Sequence, residues 1–550
     1  MATTYPAPAD SEAALSSVHG LNRPLHPAAR WSFVALLLGG LVYAGSSILL
    51  DTQQVGEQMA TGVFLFLGLA LLIALGFEFV NGFHDTANAV ATVIYTNSMS
   101  APLAVVWSGF FNFLGVMAST GAVAYSIITL LPVELILHVG SSGGFAMIFA
   151  LLFAAVLWNL ATWYVGLPNS SSHALIGSIL GVGFANQLIS SSRSGTAGVD
   201  WGQAEKVLSA LLFSPALGFV CALLLLLVMR RFLRNPKLYS EPVRDAPPPM
   251  GIRALLIATC TGVSFAHGGN DGQKGMGLIM LILIGCAPTA YALNRTMPES
   301  ATPAFVASAN AAASALDAHR GGAVVDVAAS RVVLTRALES KSGADAGTVY
   351  GAVATLSRDL GRQIGDYGAF SKVPAAATPN LRNDMYLVLD NARRVTKDKA
   401  VAAHFSSAEL GAITAYEKNL EQGTRYIPLW VKIAVAIALG LGTMVGWKRI
   451  VVTVGERIGK THMTYGMGAS AELVAAGTIL LAERYGLPVS TTHILTSGVA
   501  GASVANGTGL QARTVFNMVL AWVLTLPAAM LLSGGLYWLL LQLIRVTGIA

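Results

Sequence analysis

Two short polar motifs, each present twice inside apolar surroundings, constrain this chain more than any other feature. One pair is Asn81-Gly82-Phe83-His84-Asp85-Thr86-Ala87-Asn88 and His267-Gly268-Gly269-Asn270-Asp271-Gly272-Gln273-Lys274. The other is Gly166-Leu167-Pro168-Asn169-Ser170-Ser171-Ser172-His173 and Gly486-Leu487-Pro488-Val489-Ser490-Thr491-Thr492-His493. In the second pair Gly, Leu, Pro, Ser and His recur at the same offsets. The order along the chain is Asp motif, Ser motif, Asp motif, Ser motif. That order reads as an internal duplication, with one solute site built from both halves.

The surroundings of these motifs are those of a bilayer. Hydrophobic residues make up 54% of the chain and charged residues 11%, against about a quarter charged in soluble proteins. Further apolar stretches run near 63–96, 103–131, 144–165, 174–189, 207–229, 254–293, 428–446, 463–484, 494–505 and 514–544. Two of them, 174–189 and 494–505, are short for a span, and both follow a Ser/Thr-His motif. Two others, 63–96 and 254–293, are long for one straight helix, and both contain an Asp motif. Irregular backbone at membrane depth is tolerated only where protein or a water-filled cavity satisfies its polar groups. Broken or re-entrant helices at matching places in two halves point to a transporter site. The expected fold class is therefore an all-α integral membrane protein, an inverted-repeat secondary transporter with a soluble helical insert.

The expected boundaries follow. Residues 1–58 hold a polar tail and a signal-anchor helix over Trp31–Leu50, which is long enough to span. Residues 59–229 form the first membrane repeat, and 254–293 with 428–550 form the second. Between them, 230–253 carries Arg230, Arg231, Arg234, Lys237, Arg244 and Arg253, and a second basic segment holds Lys448, Arg449, Arg457 and Lys460. The positive-inside rule places both in the cytoplasm. An odd number of spans per half then gives the halves opposite orientations. Ser171 follows Asp85 by 86 residues, whereas Thr491 follows Asp271 by 220. The excess lies in 294–427, which is Ala-rich, charged and patterned at helical spacing, as in Leu356, Leu360 and Ile364. It reads as an inserted helical domain on the periplasmic side. The net charge of +6 is explained by cytoplasmic Lys and Arg, not by nucleic-acid binding. Cys221, Cys260 and Cys286 lack metal-ligand spacing and read as small buried hydrophobes.

Asp85 and Asp271 are the chemistry-bearing residues. A carboxylate near the bilayer centre costs at least about 2.5 kcal/mol on insertion scales, so such groups are functional candidates. Ser170, Ser171 and Ser172, with Ser490, Thr491 and Thr492, cluster hydroxyls after a Pro and before an apolar helix. Pro suits a first helical turn, Ser and Thr are N-caps, and the free N–H groups there favour an anion. Two such ends would cradle a tetrahedral oxyanion. Asn88 and Asn270 flank the carboxylates as further substrate-binding candidates. His84, Lys274 and Glu472, with the two Asp residues, are candidates for coupling ions. Lys274 shares a helix face with Asp271. Glu78 reads either as an interfacial residue or as a functional one. No phosphate-binding loop of the Gly-x-x-x-x-Gly-Lys-Ser/Thr kind and no His-Glu-x-x-His pair is present. Neither an enzyme nor an ATP-driven pump is expected, and neither a cofactor nor a resident metal.

At these residues the chain resembles the inorganic phosphate transporter family, PiT. Gly269-Asn270-Asp271 and Phe83-His84-Asp85 match its Asp signature, and 168–173 and 488–493 match its Pro-x-Ser-Ser/Thr-Ser/Thr-His motifs. The resemblance covers about 60–293 and 428–545 and is greatest to bacterial low-affinity members of the enterobacterial type. It implies a multi-pass carrier of the bacterial inner membrane, a homodimer, that imports phosphate with a cation gradient. Members of that bacterial type use protons and also carry a neutral divalent metal–phosphate complex; others use sodium. His84 stands where the sodium type has Asn, and Lys274 where the first repeat has Asn88, and both departures lean toward protons. A sulfate permease of the same family and sodium-coupled phosphate symport are the alternatives.

Overall fold

The computed structural model describes residues 27–56, 60–130, 141–190, 199, 201–243, 246–322, 326–339 and 345–547. The expected tail, Arg244 and the side chain of Asn88 lie outside the described residues. Among those described, the secondary structure is helical. Nine helices among the described residues are long and apolar enough to cross a membrane.

Helix α1 (Pro27–Gln54) contains the expected anchor segment. Trp31, Leu38, Val42 and Leu50 on it are exposed, as suits a lipid-facing helix. The first half continues with α2 (Thr61–Tyr95), α3 (Ala101–Ala118), α4 (Ala122–Ile128), α5 (Ser142–Val165), α6 (Ser171–Ser190) and α7 (Trp201–Phe232). Then comes α8 (Met250–Cys286). Five longer helices follow: α9 (Thr302–Asp317), α10 (Val327–Glu339), α11 (Ala346–Tyr367), α12 (Thr378–Lys397) and α13 (Ser407–Thr424). The membrane part resumes with α14 (Leu429–Gly442), α15 (Lys448–Glu456), α16 (Tyr465–Arg484), α17 (Thr491–Asn506) and α18 (Ala512–Thr547). One-turn helices are left unnumbered.

Element order repeats. An Asp motif lies inside α2 and inside α8, and a Ser/Thr motif opens α6 and opens α17. Each half closes with a long helix carrying an internal proline, Pro215 in α7 and Pro527 in α18. The packing exchanges partners between halves: α6 lies along α18, and α17 lies along α7. In the same way α3 packs on α8, and α14 packs on α2. The polar centre of the molecule is therefore shared by construction.

The breaks in the spans do not fall where the long apolar stretches suggested. Both Asp motifs are crossed by continuous helix, in α2 and in α8. At 1.5 Å per residue these helices are about 50–55 Å long, so they tilt or project beyond an apolar layer about 30 Å thick. The motif glycines serve close approach. A Cβ at Gly268 would sit 2.1 Å from the Asn112 carbonyl oxygen of α3, and one at Gly82 would sit 2.3 Å from the Leu439 carbonyl oxygen of α14. The two glycines occupy the same place in the two repeats. Backbone irregularity is instead found at the Ser/Thr motifs. There Gly166 (φ +73°) closes α5 and Gly486 (φ +66°) precedes the second motif, in a left-handed conformation that glycine adopts without strain.

The two basic segments meet on one face. Asn97 Nδ2 donates to the Val243 carbonyl at 3.2 Å, Arg253 Nε donates to the Ser98 carbonyl at 2.8 Å, and Arg230 donates to the Ala505 carbonyl at 3.1 Å. The backbone N–H of Lys460 reaches Gly509 nearby. The residues after α8 lie at the opposite end of that helix. Helices α9 to α13 enclose their own apolar core, which includes Phe305, Leu334, Leu356, Leu360, Phe370, Met385 and Tyr416. Ser406 and Glu409 form a capping box at the start of α13. The neck is narrow: Asn294 N–H donates to the Gly423 carbonyl at 2.8 Å, so the segment leaves and returns at adjacent points. Helices α13 and α14 then meet at a bend of 69°. Cys260 and Cys286 are buried and Cys221 is half-buried.

Candidate functional site

Both short helices begin at the polar centre. Ser170 and Ser490 are N-caps: each hydroxyl accepts the backbone N–H of the histidine three residues on, at 3.1 Å in both repeats. Ser170 Oγ also meets His173 Nδ1 at 2.8 Å. These two hydroxyls are thereby committed to the helix ends. They leave Ser171, Ser172, Thr491 and Thr492 in the first turns, at the positive ends of the helix dipoles.

The carboxylates sit at those ends. Asp85 and Asp271 are buried on α2 and α8. Ser171 Oγ lies between them, 3.1 Å from Asp85 Oδ2 and 3.4 Å from Asp271 Oδ2. Thr492 Oγ1, from the other half, donates to Asp85 Oδ1. Lys274, fully buried, places Nζ 2.6 Å from Asp271 Oδ2 and donates to Ser172 Oγ. Ser172 in turn donates to the Val489 carbonyl at 2.7 Å. Contacts thus run from each half to the other, Asp85 to Thr492, Asp271 to Ser171 and Lys274 to Ser172. An unpaired charge at this depth would cost several kcal/mol, and the pairing offsets that cost. Asp271 Oδ1 and Thr491 Oγ1 are buried without a hydrogen-bond partner among the described residues.

Other expected residues take supporting places. Asn270 clamps the second Ser/Thr loop, with Nδ2 donating to the Leu487 carbonyl at 3.1 Å and Oδ1 facing the Val489 N–H at 3.5 Å. His84 bridges outward, with Nδ1 3.3 Å from Asp85 Oδ1 and Nε2 3.4 Å from Thr162 Oγ1 on α5. Glu472 is buried on α16 and accepts from Thr259 Oγ1. Thr259 lies 12 residues before Asp271, about 18 Å along α8. The structure therefore does not bring Glu472 to the carboxylate pair.

His267 was not among the residues singled out from the sequence. Its Nε2 is 3.5 Å from Asp271 Oδ2 and 3.8 Å from Asp85 Oδ2, and its Nδ1 meets Asn112 Oδ1 at 2.7 Å. The signal was present: His267 is four residues before Asp271 and so shares its helix face. Donor atoms of Asp85, His267 and Asp271 lie within 4.8 Å of one another, a donor set that fits a small cation. The Lys274 ammonium already supplies positive charge on the Asp271 side. Beyond the first layer, His173 and His493 face each other with ring centroids 4.6 Å apart, and His493 stacks on Trp522.

Residues 81–533 match the profile described as the phosphate transporter family. The chain is similar to the low-affinity inorganic phosphate transporter PitA of Escherichia coli (strain K12), 43% identical over 505 residues, covering 88% of this chain and 98% of that one. It is 39% identical over 506 residues to PitB of the same organism, covering 88% and 99%. A probable low-affinity inorganic phosphate transporter of Bacillus subtilis (strain 168) is 28% identical over 473 residues, covering 86% and 96%. A solved structure titled as the sodium-dependent phosphate transporter aligns over 87% of this chain and all of that one, at 20% identity and a TM-score of 0.46. With its apolar helices and with relatives matched over nearly their full length, this multi-pass membrane protein belongs to the phosphate transporter family.

Proposed function

We propose that this chain imports inorganic phosphate across a bacterial inner membrane together with protons, by alternating access of two oppositely oriented halves. One observation carries the reading: carboxylates from both halves and the N-terminal turns of α6 and α17 converge, joined by Ser171, Thr492 and Lys274. Phosphate still carrying a proton donates hydrogen bonds to Asp85 or Asp271, while the helix ends, the hydroxyls and Lys274 offer donors to its other oxygens. Sulfate has no proton to give at neutral pH, so paired carboxylates favour phosphate over sulfate. The family and the relatives named as phosphate transporters support the same substrate.

Lys274 supports protons over sodium. Its ammonium stands at the second-repeat position where the first repeat has Asn88, and it satisfies Asp271 with charge the protein itself provides. His84 then acts as the partner that orients Asp85. The basic face holds 230–243 and 448–460, so this reading puts it in the cytoplasm and the 302–424 helices outside. A divalent metal–phosphate complex as cargo draws support from the donor set of Asp85, His267 and Asp271.

The test is labelled phosphate uptake into proteoliposomes under separate proton and sodium gradients. Accumulation above equilibrium under an inward proton gradient without sodium is expected. Accumulation under a sodium gradient alone would reject proton coupling and return the Asp85, His267, Asp271 group to sodium.

Two further outcomes follow from the geometry. Ser171→Ala removes the one hydroxyl shared by both carboxylates. A hydrogen bond to a charged group is worth about 1.5–3 kcal/mol, so the phosphate concentration for half-maximal uptake should rise about tenfold or more. An unchanged concentration dependence would reduce Ser171 to a helix-end residue. Replacing 300–422 by a short linker should leave transport measurable, because the neck ends are already hydrogen-bonded neighbours and loop length has a weak cost, about 0.6 kcal/mol per doubling. A well-inserted deletion without uptake would assign the outer helices a part in gating or assembly.

A further inference from the structure

Glu78 is a buried acid that the site described above does not use. It lies on α2 seven residues before Asp85, two helical turns away on the same face. It is fully buried. Its carboxyl packs directly on α8 at Gly275: a Cβ there would lie 2.3 Å from Glu78 Cγ and 2.5 Å from Oε1. Only a residue without a side chain makes room for it. Gly275 is next to Lys274 and one turn beyond Asp271, so the acid sits over the Lys274–Asp271 pair from the neighbouring helix. Oε2 accepts from Asn81 Nδ2 at a long 3.5 Å, and Oε1 has no hydrogen-bond partner among the described residues. The charged or titratable groups that act on it are Asp271, Lys274 and His267, all on α8.

We propose that Glu78 carries the coupled proton of this transporter. The inference rests on the proton-symport reading above and names the group that performs it. Its place along the helices fits the direction of import. Asp85 to Glu78 runs toward the N-terminal end of α2, and Asp271 to Gly275 runs toward the C-terminal end of α8. Both lead away from the basic face and toward the end of α8 where the outer helices attach. A proton from that side forms an O–H bond on the Glu78 carboxylate. The same bond breaks when the site opens to the other side, and the proton leaves to water there. Three carboxylates and one ammonium surround the site when Glu78 is ionised. Neutralising Glu78 removes one negative charge beside an incoming phosphate anion, which ties proton uptake to phosphate binding. Glu472, also buried, lies on the opposite side of the carboxylate pair, toward the basic face, where Thr259 of α8 and Thr92 of α2 hold it.

Glu78→Gln fixes the neutral form with nearly the same shape, and two assays in proteoliposomes separate coupling from binding. In the first, vesicles preloaded with unlabelled phosphate take up labelled phosphate at equal pH on both sides. In the second, empty vesicles face an inward proton gradient without sodium. E78Q is expected to keep exchange at a rate comparable with the native protein, and to bring phosphate only to equilibrium under the gradient. Its half-saturating phosphate concentration should keep only the pH response of phosphate's own titration, whereas a single coupled proton adds up to about tenfold per pH unit in the native protein. Gradient-driven accumulation by E78Q would overturn the proposal. So would loss of exchange together with accumulation, which would make Glu78 part of the phosphate site or of the fold. Failure of the native protein to accumulate phosphate under the proton gradient would instead reject the parent reading.

Discussion

Replacing Asp85 by Asn, or Asp271 by Asn, is expected to cut phosphate uptake by about a hundredfold or more, since each carboxylate holds at least two hydrogen bonds worth about 1.5–3 kcal/mol apiece. Asp85 accepts from Ser171 and Thr492, and Asp271 accepts from Lys274 and Ser171. The amide keeps the volume but loses the charge and offers donors where acceptors are needed. The two variants should differ in stability. Asp85→Asn removes no partner of Lys274, and His267, which faces both carboxylates, keeps Asp271. Asp271→Asn leaves the buried Lys274 ammonium without its paired carboxylate, with Ser172 as its hydrogen-bond partner and the Glu78 carboxyl nearby. Uptake by membrane-inserted protein reads the first effect, and thermal unfolding in lipid nanodiscs reads the second. Near-native uptake by either variant would remove the carboxylate pair from the site.

Lys274→Met should be as damaging, for the complementary reason. Breaking a buried ion pair from one side costs about 3–5 kcal/mol, whereas replacing both partners by neutral groups is far milder. Lys274→Met alone takes from Asp271 its 2.6 Å ammonium partner, leaving Ser171 and His267 at 3.4 and 3.5 Å, and should lower both thermal stability and uptake sharply. The double variant Asp271→Asn with Lys274→Met should regain most of the lost stability and none of the uptake. Recovery of stability shows a coupled pair, and continued silence in transport shows that the pair serves phosphate as well as the fold. A double variant no more stable than either single one would contradict the pairing.

How much of this was legible beforehand differs by element. The duplication was plain, since the Gly-Leu-Pro-x-Ser pattern of 166–173 and 486–493 recurs residue for residue. The extra distance between Asp271 and Thr491 marked a segment that the structure folds around its own core. The partner exchange was not legible. Nothing in the composition of α6 says that it lies along α18 and not along a helix of its own half, because that choice is made by shape at long range. The glycines of the Asp motifs were ambiguous for a similar reason. Glycine permits both a broken helix and a close crossing, and only the neighbours, the carbonyls of Asn112 and Leu439, decide for the crossing. Helical spacing alone put Lys274 beside Asp271, and it carried His267 as well, four residues earlier. Glu78 needed the packed structure, since its significance lies in which residue of α8 it faces.

The central claim is that phosphate is held between the two halves. It is tested most directly by determining the structure of the protein in lipid with saturating phosphate. A tetrahedral anion is expected at the N-terminal turns of α6 and α17, within hydrogen-bond reach of Asp85 or Asp271 and of residues from both repeats. Phosphate bound within one half alone, or at the outer helices with the carboxylate pair unchanged, would contradict it.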